Sequence, residues 1–315
     1  MTGERGDEVI GFRIGTRGSA LATTQSGMIR DQLNALATMK TPEAAHSDLV
    51  IITTPGDRSQ APVEKIGVGV FTHTLRQALL DGEIDIAVHS CKDLPTAPVE
   101  GIHTIYPARE IFNEALVSRD NLTLDQLPHG AKVGTSAPRR VGQLRHLRPD
   151  LDIRPLRGNV DTRIRKVREG ELDAIILAGA GITRLGRADE ASQLFPVDQF
   201  LPAPAQGILA VEALAGTAAA KAIDQLSDPA ATAMAVAERE VLSYLHAGCT
   251  APIGAHASVT ETGIELEAGI FPITDTESGT TTPIRVYASG TDPIAVGRDA
   301  AEQLLASAAN QYLEN

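Results

Sequence analysis

Tryptophan is absent from this chain, and cysteine is nearly so, because only Cys91 and Cys249 occur among 315 residues. Two cysteines so far apart suit neither a disulfide framework nor a paired zinc site, and the histidines form no His-Glu-x-x-His motif, so we predict no metal. No segment approaches the roughly 18 apolar residues that span a bilayer, and residues 1–10 lack the apolar stretch of an export signal. We therefore expect a cytoplasmic protein without membrane association.

Charge is distributed unevenly along the chain. The net charge of −12 and the aromatic content of 3% count against nucleic-acid binding, which relies on cationic surfaces and stacking side chains. Yet the stretch from Lys132 to Arg187 holds thirteen basic residues against six acidic ones. An RNA backbone and a small polyanion are the two ligand classes that such a stretch could hold.

Short β-branched runs alternate with amphipathic stretches in two successive series, a pattern typical of βαβ units around parallel sheets. In the first series we predict strands over 9–15, 49–53 and 84–89, with one helix from Ser19 and another over 71–80. In the second series we predict strands over 132–134, 151–156 and 173–177, with helices over 138–147 and 160–168.

The remaining segments complete three predicted domains. The prolines and glycine of 201–207 suit a return crossing into the first sheet, where the apolar run 208–211 follows. A helix over 228–245, two strands and a helix over 293–312 predict a small α+β domain. We therefore predict an α/β domain 1 of residues 1–108 plus 202–226, an arginine-rich α/β domain 2 of 109–201, and domain 3 of 227–315.

Three predicted strand-to-helix turns, at 15–19, 134–140 and 156–160, carry hydroxyl or guanidinium groups. Unpaired N–H groups and the helix dipole favour anions at a helix N-terminus, and ligands of open α/β sheets bind beyond the carboxyl ends of strands. Arginine in all three turns favours a ligand with several carboxylates. The alternative for each turn alone is that Ser19, Thr135 or Ser136 merely caps its helix.

The turn 89–95 sets Lys92 beside Asp93 at the end of a predicted strand. A buried carboxylate at Asp93 could accept hydrogen bonds from N–H groups and stabilise a developing cation. The alternative is a surface Lys–Asp pair before a proline. We interpret His89 as capping the end of the strand, and Cys91 as a space-filling side chain.

Cys249 lies between Gly248 and Pro252, where glycine and proline indicate a tight exposed turn after the predicted helix. A thiol near arginines has a pKa below the free value of about 8.5 and becomes a nucleophile. The alternative is a small apolar filler, and spacing alone leaves both open.

Five segments occur in order along the chain: RIGTRGS at 13–19, VHSCKDLP at 88–95, VGTS at 133–136, LRGN at 156–159 and GC at 248–249. Together they resemble the porphobilinogen deaminase family, also called hydroxymethylbilane synthases, over essentially the whole chain. The resemblance implies two α/β domains like type II periplasmic binding proteins and a small α+β third domain that presents Cys249. It also implies one covalent dipyrromethane cofactor per chain, held as a thioether by Cys249.

Members of this family join four porphobilinogen molecules head to tail on that primer, release ammonia each time and hydrolyse off hydroxymethylbilane, a step of heme biosynthesis. Because each pyrrole carries acetate and propionate groups, the growing chain needs many cations. The resemblance assigns Asp93 as the catalytic carboxylate that stabilises the cationic azafulvene left by ammonia. It assigns substrate contacts to Arg17, Ser19, Arg157 and Arg163. It assigns cofactor contacts to Lys92, Asp93, Thr135, Ser136, Arg139, Arg140, Arg157, Arg163 and Arg184, beside the covalent Cys249. The resemblance further implies a monomer.

Three positions depart from the family pattern. Ala137 stands where a second serine is common, the loop 66–71 lacks a frequent lysine, and residues 111–114 replace a more usual Asp-Pro-Arg-Asp. The main alternative function is a two-lobed anion- or carboxylate-binding protein without catalysis. That function explains the arginines but leaves Cys249 and domain 3 without a role.

Overall fold

The computed structural model describes residues 11–40, 46–53, 70–248, 251–273 and 282–307. Its strands are β1 (Arg13–Thr16), β2 (Asp48–Ile51), β3 (Ile86–Ser90), β4 (Ile102–Ile105), β5 (Glu114–Ser118), β6 (Lys132–Gly134), β7 (Asp152–Arg154), β8 (Ala174–Ala178), β9 (Gln193–Leu194), β10 (Leu209–Leu214), β11 (Ile253–Thr260), β12 (Gly263–Ile270) and β13 (Ile284–Gly290). Its α-helices are α1 (Ala20–Lys40), α2 (Val70–Leu80), α3 (Pro138–Leu147), α4 (Val160–Arg168), α5 (Gly179–Arg184), α6 (Ala218–Asp224), α7 (Pro229–Tyr244) and α8 (Pro293–Ala306). Short 3-10 helices occupy Cys91–Asp93, Arg119–Asn121 and Ala188–Glu190.

The chain divides into two compact units. Unit 1 comprises residues 1–94, 98–108 and 209–228, and unit 2 comprises residues 95–97, 109–208 and 229–315. Within the described ranges, no helix combines the length and the apolar character that crossing a bilayer requires.

Unit 1 is built on a five-stranded sheet in the order β2-β1-β3-β10-β4. Strands β1, β2 and β3 are parallel, and β10 runs antiparallel to both β3 and β4. The apolar run after the 201–207 crossing therefore does enter this sheet. Because β1 and β3 are parallel neighbours, the turns that follow them lie at the same edge of the sheet.

Alternating side chains of this sheet fill two apolar layers. Ile14 and Val88 face one layer, which includes Ile29 of α1, whereas Ala87 faces the other, with Leu75 of α2. Gly15 permits that second layer to close, because a Cβ at this position would lie 2.3 Å from Cδ1 of Ile84.

Unit 2 contains a second five-stranded sheet, in the order β7-β6-β8-β5-β9. Strands β6, β7 and β8 are parallel, and β5 runs antiparallel beside β8. Both sheets thus have three parallel strands followed by an antiparallel fourth. Gly134 corresponds to Gly15, since a Cβ there would lie 2.6 Å from Cδ1 of Leu172. The two α/β sheets predicted from the sequence pattern and from the family resemblance are confirmed.

The C-terminal part of unit 2 is an antiparallel sheet in the order β11-β12-β13. Its apolar face packs on α7 and α8 through residues such as Val241, Leu266 and Leu304. The predicted small α+β fold is confirmed. It has three strands where two were predicted, since β12 pairs with β11 in a long hairpin and with β13 on its other side. Strand β5 was not predicted, since its five residues carry no alternating pattern of polarity.

A buried carboxylate ties this C-terminal sheet to the rest of unit 2. Glu238 of α7 accepts hydrogen bonds from Arg109 Nη1 at 2.5 Å and from the backbone N–H of Ala205 and Ala257 at 2.5 and 2.7 Å. Burial raises the pKa of Glu238, against the opposing effect of Arg109 and the two N–H groups. Beside it, His256 stacks on Phe112 with ring centroids 4.0 Å apart.

Candidate functional site

The first group of predicted site residues follows β1 in unit 1. Arg17 and Ser19 are half-buried in the turn between β1 and α1. The Ser19 hydroxyl accepts a hydrogen bond from the Ala22 N–H at 3.4 Å, so this serine does cap α1 as the simpler interpretation proposed.

The second group occupies the turn after β3. Residues Cys91–Asp93 form a 3-10 helix in which Cys91 is fully buried, Lys92 is half-buried and Asp93 is exposed. Of the two alternatives that the sequence left open, Asp93 takes the surface position, because the short helix turns this side chain away from the core. Its exposure leaves the carboxylate accessible to a ligand at the edge that also carries Arg17.

Two polar contacts that the sequence did not reveal hold this turn. The Gln25 side chain of α1 donates to the Ser90 hydroxyl at 3.1 Å, joining α1 to the end of β3. Within the sheet, His89 Nε2 lies 3.2 Å from Glu212 Oε2, and Arg76 Nη2 lies 2.7 Å from Glu212 Oε1. His89 is thus part of a buried charged cluster rather than a strand cap.

Glu212 is the centre of that cluster. Burial alone would raise its pKa, but the neighbouring His89 and Arg76, whose guanidinium donates hydrogen bonds to the carboxylate, lower it to about 2. The one sequence signal was a glutamate in the apolar run of β10, where a charge requires a buried partner.

In unit 2, the turn after β6 is fastened to the end of β7. The Ser136 hydroxyl accepts from the Leu156 N–H at 2.8 Å and donates to the Leu156 carbonyl at 3.1 Å. Thr135 is buried, and its hydroxyl accepts from the Ala137 N–H at 3.4 Å. Both hydroxyls therefore have structural hydrogen bonds, and those of Ser136 hold the turns at 134–140 and 156–160 together.

Arg139 and Arg140, in the first turn of α3, are 5% and 7% exposed. Their Nη2 atoms donate to the two carboxylate oxygens of Glu114 at 2.5 and 2.7 Å. Their Nη1 atoms donate to the carbonyls of Leu201 at 2.6 Å and Ile176 at 2.9 Å. The family resemblance assigns this pair to the cofactor, and the sequence pattern did not indicate its buried partner Glu114, which lies 25 residues upstream of Arg139.

The turn after β7 carries Arg157 and Gly158, both exposed. Gly158 adopts φ +105°, a conformation that favours glycine, and the Asn159 side chain caps α4 by accepting from the Thr162 N–H at 2.9 Å. Arg163 Nε donates to the Gly158 carbonyl at 2.8 Å. This turn brings Arg157 and Arg163 together.

Arg184 ends α5, the helix that follows β8. Its Nη2 donates to the Gly207 carbonyl at 2.7 Å, and burial lowers its pKa against the opposing effect of Glu110. Arg184 Nε and Arg140 Nε are both buried without a hydrogen-bond partner within the described structure. Each is a donor suited to a carboxylate oxygen.

Two predicted features lie outside the described residues. They are Cys249, between the described Gly248 and Ala251, and residues 66–69 of the loop predicted over 66–71, whose last two residues begin α2. In each unit, the remaining predicted residues follow the carboxyl ends of the parallel strands.

The fold and these strand ends define an α/β protein. Each of its two five-stranded sheets presents basic and hydroxyl groups where its parallel strands end. Residues 12–222 match the family model "Porphobilinogen deaminase, dipyromethane cofactor binding domain", and residues 232–306 match "Porphobilinogen deaminase, C-terminal domain". The chain belongs to the porphobilinogen deaminase family.

Curated relatives agree with the family models over most of the chain. The porphobilinogen deaminase of Corynebacterium glutamicum is 50% identical over 304 residues, covering 95% of this chain and 97% of the relative. That of Corynebacterium aurimucosum is 55% identical over 262 residues, covering 83% of this chain and 86% of the relative. Among solved structures, the periplasmic VFT2 domain of Bordetella pertussis BvgS aligns with a TM-score of 0.38 at 16% identity, covering 73% of this chain and 93% of that one.

The cofactor of this family is dipyrromethane, which carries acetate and propionate carboxylates. The donors in unit 2 fit such a group, because Arg157 is exposed and because Arg140 Nε and Arg184 Nε are buried donors without a partner within the described ranges. A carboxylate oxygen would satisfy the Nε donors of Arg140 and Arg184 and offset their positive charge.

Proposed function

We propose that this chain polymerises four porphobilinogen molecules head to tail on a dipyrromethane primer bound to Cys249, with release of ammonia at each condensation. Hydrolysis then frees hydroxymethylbilane for tetrapyrrole and heme biosynthesis. The reaction is a transfer of a non-methyl alkyl group. The proposal includes a cytoplasmic monomer that takes porphobilinogen and binds neither nucleic acid nor membrane.

The observation that carries this proposal is the placement of complementary groups at strand ends. In unit 1, the edge formed by β1 and β3 carries one exposed carboxylate, Asp93, beside a half-buried Lys92. In unit 2, the corresponding edge carries guanidinium groups and no acidic residue in the segments 134–140 and 156–160. We assign the first edge to catalysis and the second to holding carboxylates.

Asp93 is proposed as the catalytic carboxylate. An ionised carboxylate at an accessible sheet edge can accept hydrogen bonds from pyrrole N–H groups and stabilise the positive charge that develops when ammonia leaves. Lys92 is proposed to bind a carboxylate of the cofactor, and Arg17 and Ser19 are proposed to orient the carboxylates of the incoming substrate.

The bound primer supplies the nucleophilic pyrrole carbon to which new units are added. Cys249 is proposed to hold it covalently, while Arg157, Arg163 and Arg184 hold its carboxylates from unit 2. Arg140 is proposed to donate a hydrogen bond to the same carboxylates from Nε, which Glu114 does not engage. Arg139 is proposed to add its positive charge beside Arg140. Thr135 is proposed to donate its hydroxyl hydrogen bond to the same carboxylates. Ser136 is proposed to do so by exchanging its hydrogen bond to the Leu156 carbonyl for one to the ligand.

Intact mass measurement of the purified chain tests the proposal in one step. The expected mass exceeds the sequence mass by one dipyrromethane, and Cys249→Ser should lose both this increment and activity. The matched control is Cys91→Ala, which changes the other cysteine and should keep the increment. An unmodified mass in fully active protein would refute the primer. An unmodified mass in protein without activity would favour a binding protein.

Asp93→Asn separates holding from catalysis. We expect this variant to carry the primer and to turn over at least 100-fold more slowly, about the contribution of one catalytic electrostatic group. Equal turnover by Asp93→Asn and wild type would remove Asp93 from the mechanism.

A further inference from the structure

The buried arginine pair of α3 has one more positive charge than its protein partner neutralises. Arg139 and Arg140 contribute two charges, and Glu114, which is 0% exposed, contributes one of opposite sign. The pKa of Arg139 agrees with this excess of positive charge. Burial lowers that pKa most, the charge of Glu114 raises it, and the charge of Arg140 lowers it further.

Glu114 also fixes how the pair is oriented. Each of its oxygens takes the Nη2 atom of one arginine, and backbone carbonyls of Leu201 and Ile176 take the Nη1 atoms. Both guanidinium groups are thereby held at their Nη atoms. Arg140 Nε remains buried and without a partner.

The strand that carries Glu114 brings it to the ligand edge of the sheet. Glu114 is the first residue of β5 and pairs with Ala178, the last residue of β8. Since β5 is antiparallel to β8, its amino end lies where the parallel strands end, beside the start of α3.

We propose that Glu114 is a positioning residue for the reaction: it orients Arg139 and Arg140 and sets their joint charge so that the pair accepts one further carboxylate. This inference rests on the proposed function, in which that carboxylate belongs to the primer. In this role the negative charge of Glu114 controls anion binding. A residue that only packs would act through its volume alone.

The test uses the full chain with Cys249→Ala, which cannot hold a primer, and sodium succinate as the dicarboxylate probe. Thermal unfolding is measured with succinate and with sodium chloride at equal ionic strength. In this background, Glu114→Gln should lower the midpoint without succinate and should make the succinate-induced rise roughly twofold larger than in the parent. Arg140→Gln should abolish most of the rise.

The matched control is Glu267→Gln, which removes a carboxylate paired with Arg285 at 2.6 Å elsewhere in unit 2. It should leave the response to succinate unchanged. If Glu114→Gln alone does not fold, the double variant Glu114→Gln with Arg139→Gln restores the original net charge of the cluster and should fold again. A succinate response equal in parent and Glu114→Gln, or a double variant that is no better folded than the single, overturns the proposal.

A second readout uses chains that keep Cys249. The fraction of molecules with the primer mass should fall in Glu114→Gln and return in Glu114→Asp, which keeps the charge. Free succinate can follow arginines that have lost the orientation imposed by Glu114 and responds to their higher joint charge, whereas a primer fixed at Cys249 depends on that orientation. Equal loading of Glu114→Gln and wild type counts against the proposal. Wild type without any primer mass would refute the proposed function while leaving the succinate result valid. Primer present with no change in the succinate response would refute only the role of Glu114.

Discussion

Replacing Glu212 by glutamine should destabilise unit 1 by about 3 to 5 kcal/mol at pH 7, because Arg76 would keep its charge in a site that no longer neutralises it. The Glu212 and Arg76 side chains are 1% and 14% exposed, so solvent screens their contact little. The pKa of Glu212 is about 2, against 4.5 for an ordinary glutamate. At about 1.4 kcal/mol per pKa unit, ionisation of Glu212 accounts for about 3 kcal/mol of that stability.

The pH dependence of this effect has a definite sign. A lowered pKa in the folded chain means that the unfolded chain binds the proton first, so the stabilisation is complete above pH 4.5 and is lost as the pH falls toward 2. The stability difference between wild type and Glu212→Gln should therefore shrink below pH 4.5, by about 1 kcal/mol over the first pH unit.

Urea unfolding reports this difference if the signal comes from unit 1. The chain has no tryptophan and four tyrosines, and Tyr106 is the one within unit 1. Its fluorescence can be isolated by changing Tyr244, Tyr287 and Tyr312 to phenylalanine. Glu83→Gln, an exposed glutamate of the same unit, is the control and should change stability by less than about 0.5 kcal/mol. A Glu212 effect below about 1 kcal/mol, or one that stays constant into acid, would contradict the assignment.

Two further predictions concern unit 2 and the first helix. Gly142→Ala should destabilise the chain by more than about 2 kcal/mol in urea unfolding, because its Cβ would lie 2.2 Å from the Phe271 carbonyl oxygen. At Gly27 of α1 a Cβ would meet nothing within 4 Å, so Gly27→Ala should instead stabilise the chain by about 0.5 to 1 kcal/mol. Burial, with Arg109, lowers the pKa of His256 to about 3 from 6.5, so the unfolded chain gains the proton first and stability falls as the pH drops below 6.5. His256→Phe should therefore remove about 2 kcal/mol of the stability lost between pH 7 and pH 5, and identical pH profiles of variant and wild type would contradict this.

Much of the site could be predicted because its residues are local in sequence. Arg17 and Ser19 share one turn, as do Lys92 and Asp93, and the period of the flanking runs identified the strands before them. A parallel strand followed by a helix places its turn at one edge of the sheet whatever the rest of the chain does. The roles of these residues, by contrast, came from the family resemblance and are proposals.

The buried charged clusters could not be predicted. Glu212 contacts Arg76 across 136 positions of sequence, and Glu114 contacts Arg140 across 26. Both acidic residues lie on antiparallel strands inserted among parallel ones, and no periodicity indicates which partner a buried charge meets. The sequence left the burial of Asp93 open for a related reason, since a single 3-10 turn decides whether that side chain points inward.

By itself, the sequence determined the two α/β sheets, the arginine-rich turns and the membership of a family with a dipyrromethane cofactor. These follow from hydrophobic period and local turn chemistry, which depend on neighbouring residues. The tertiary structure alone decided that Arg139 and Arg140 share the buried Glu114, that Ser136 fastens two turns together and that Asp93 faces solvent. Such pairings depend on which distant segments pack side by side, because a buried charge is stable only where the fold brings its counter-charge within hydrogen-bonding distance.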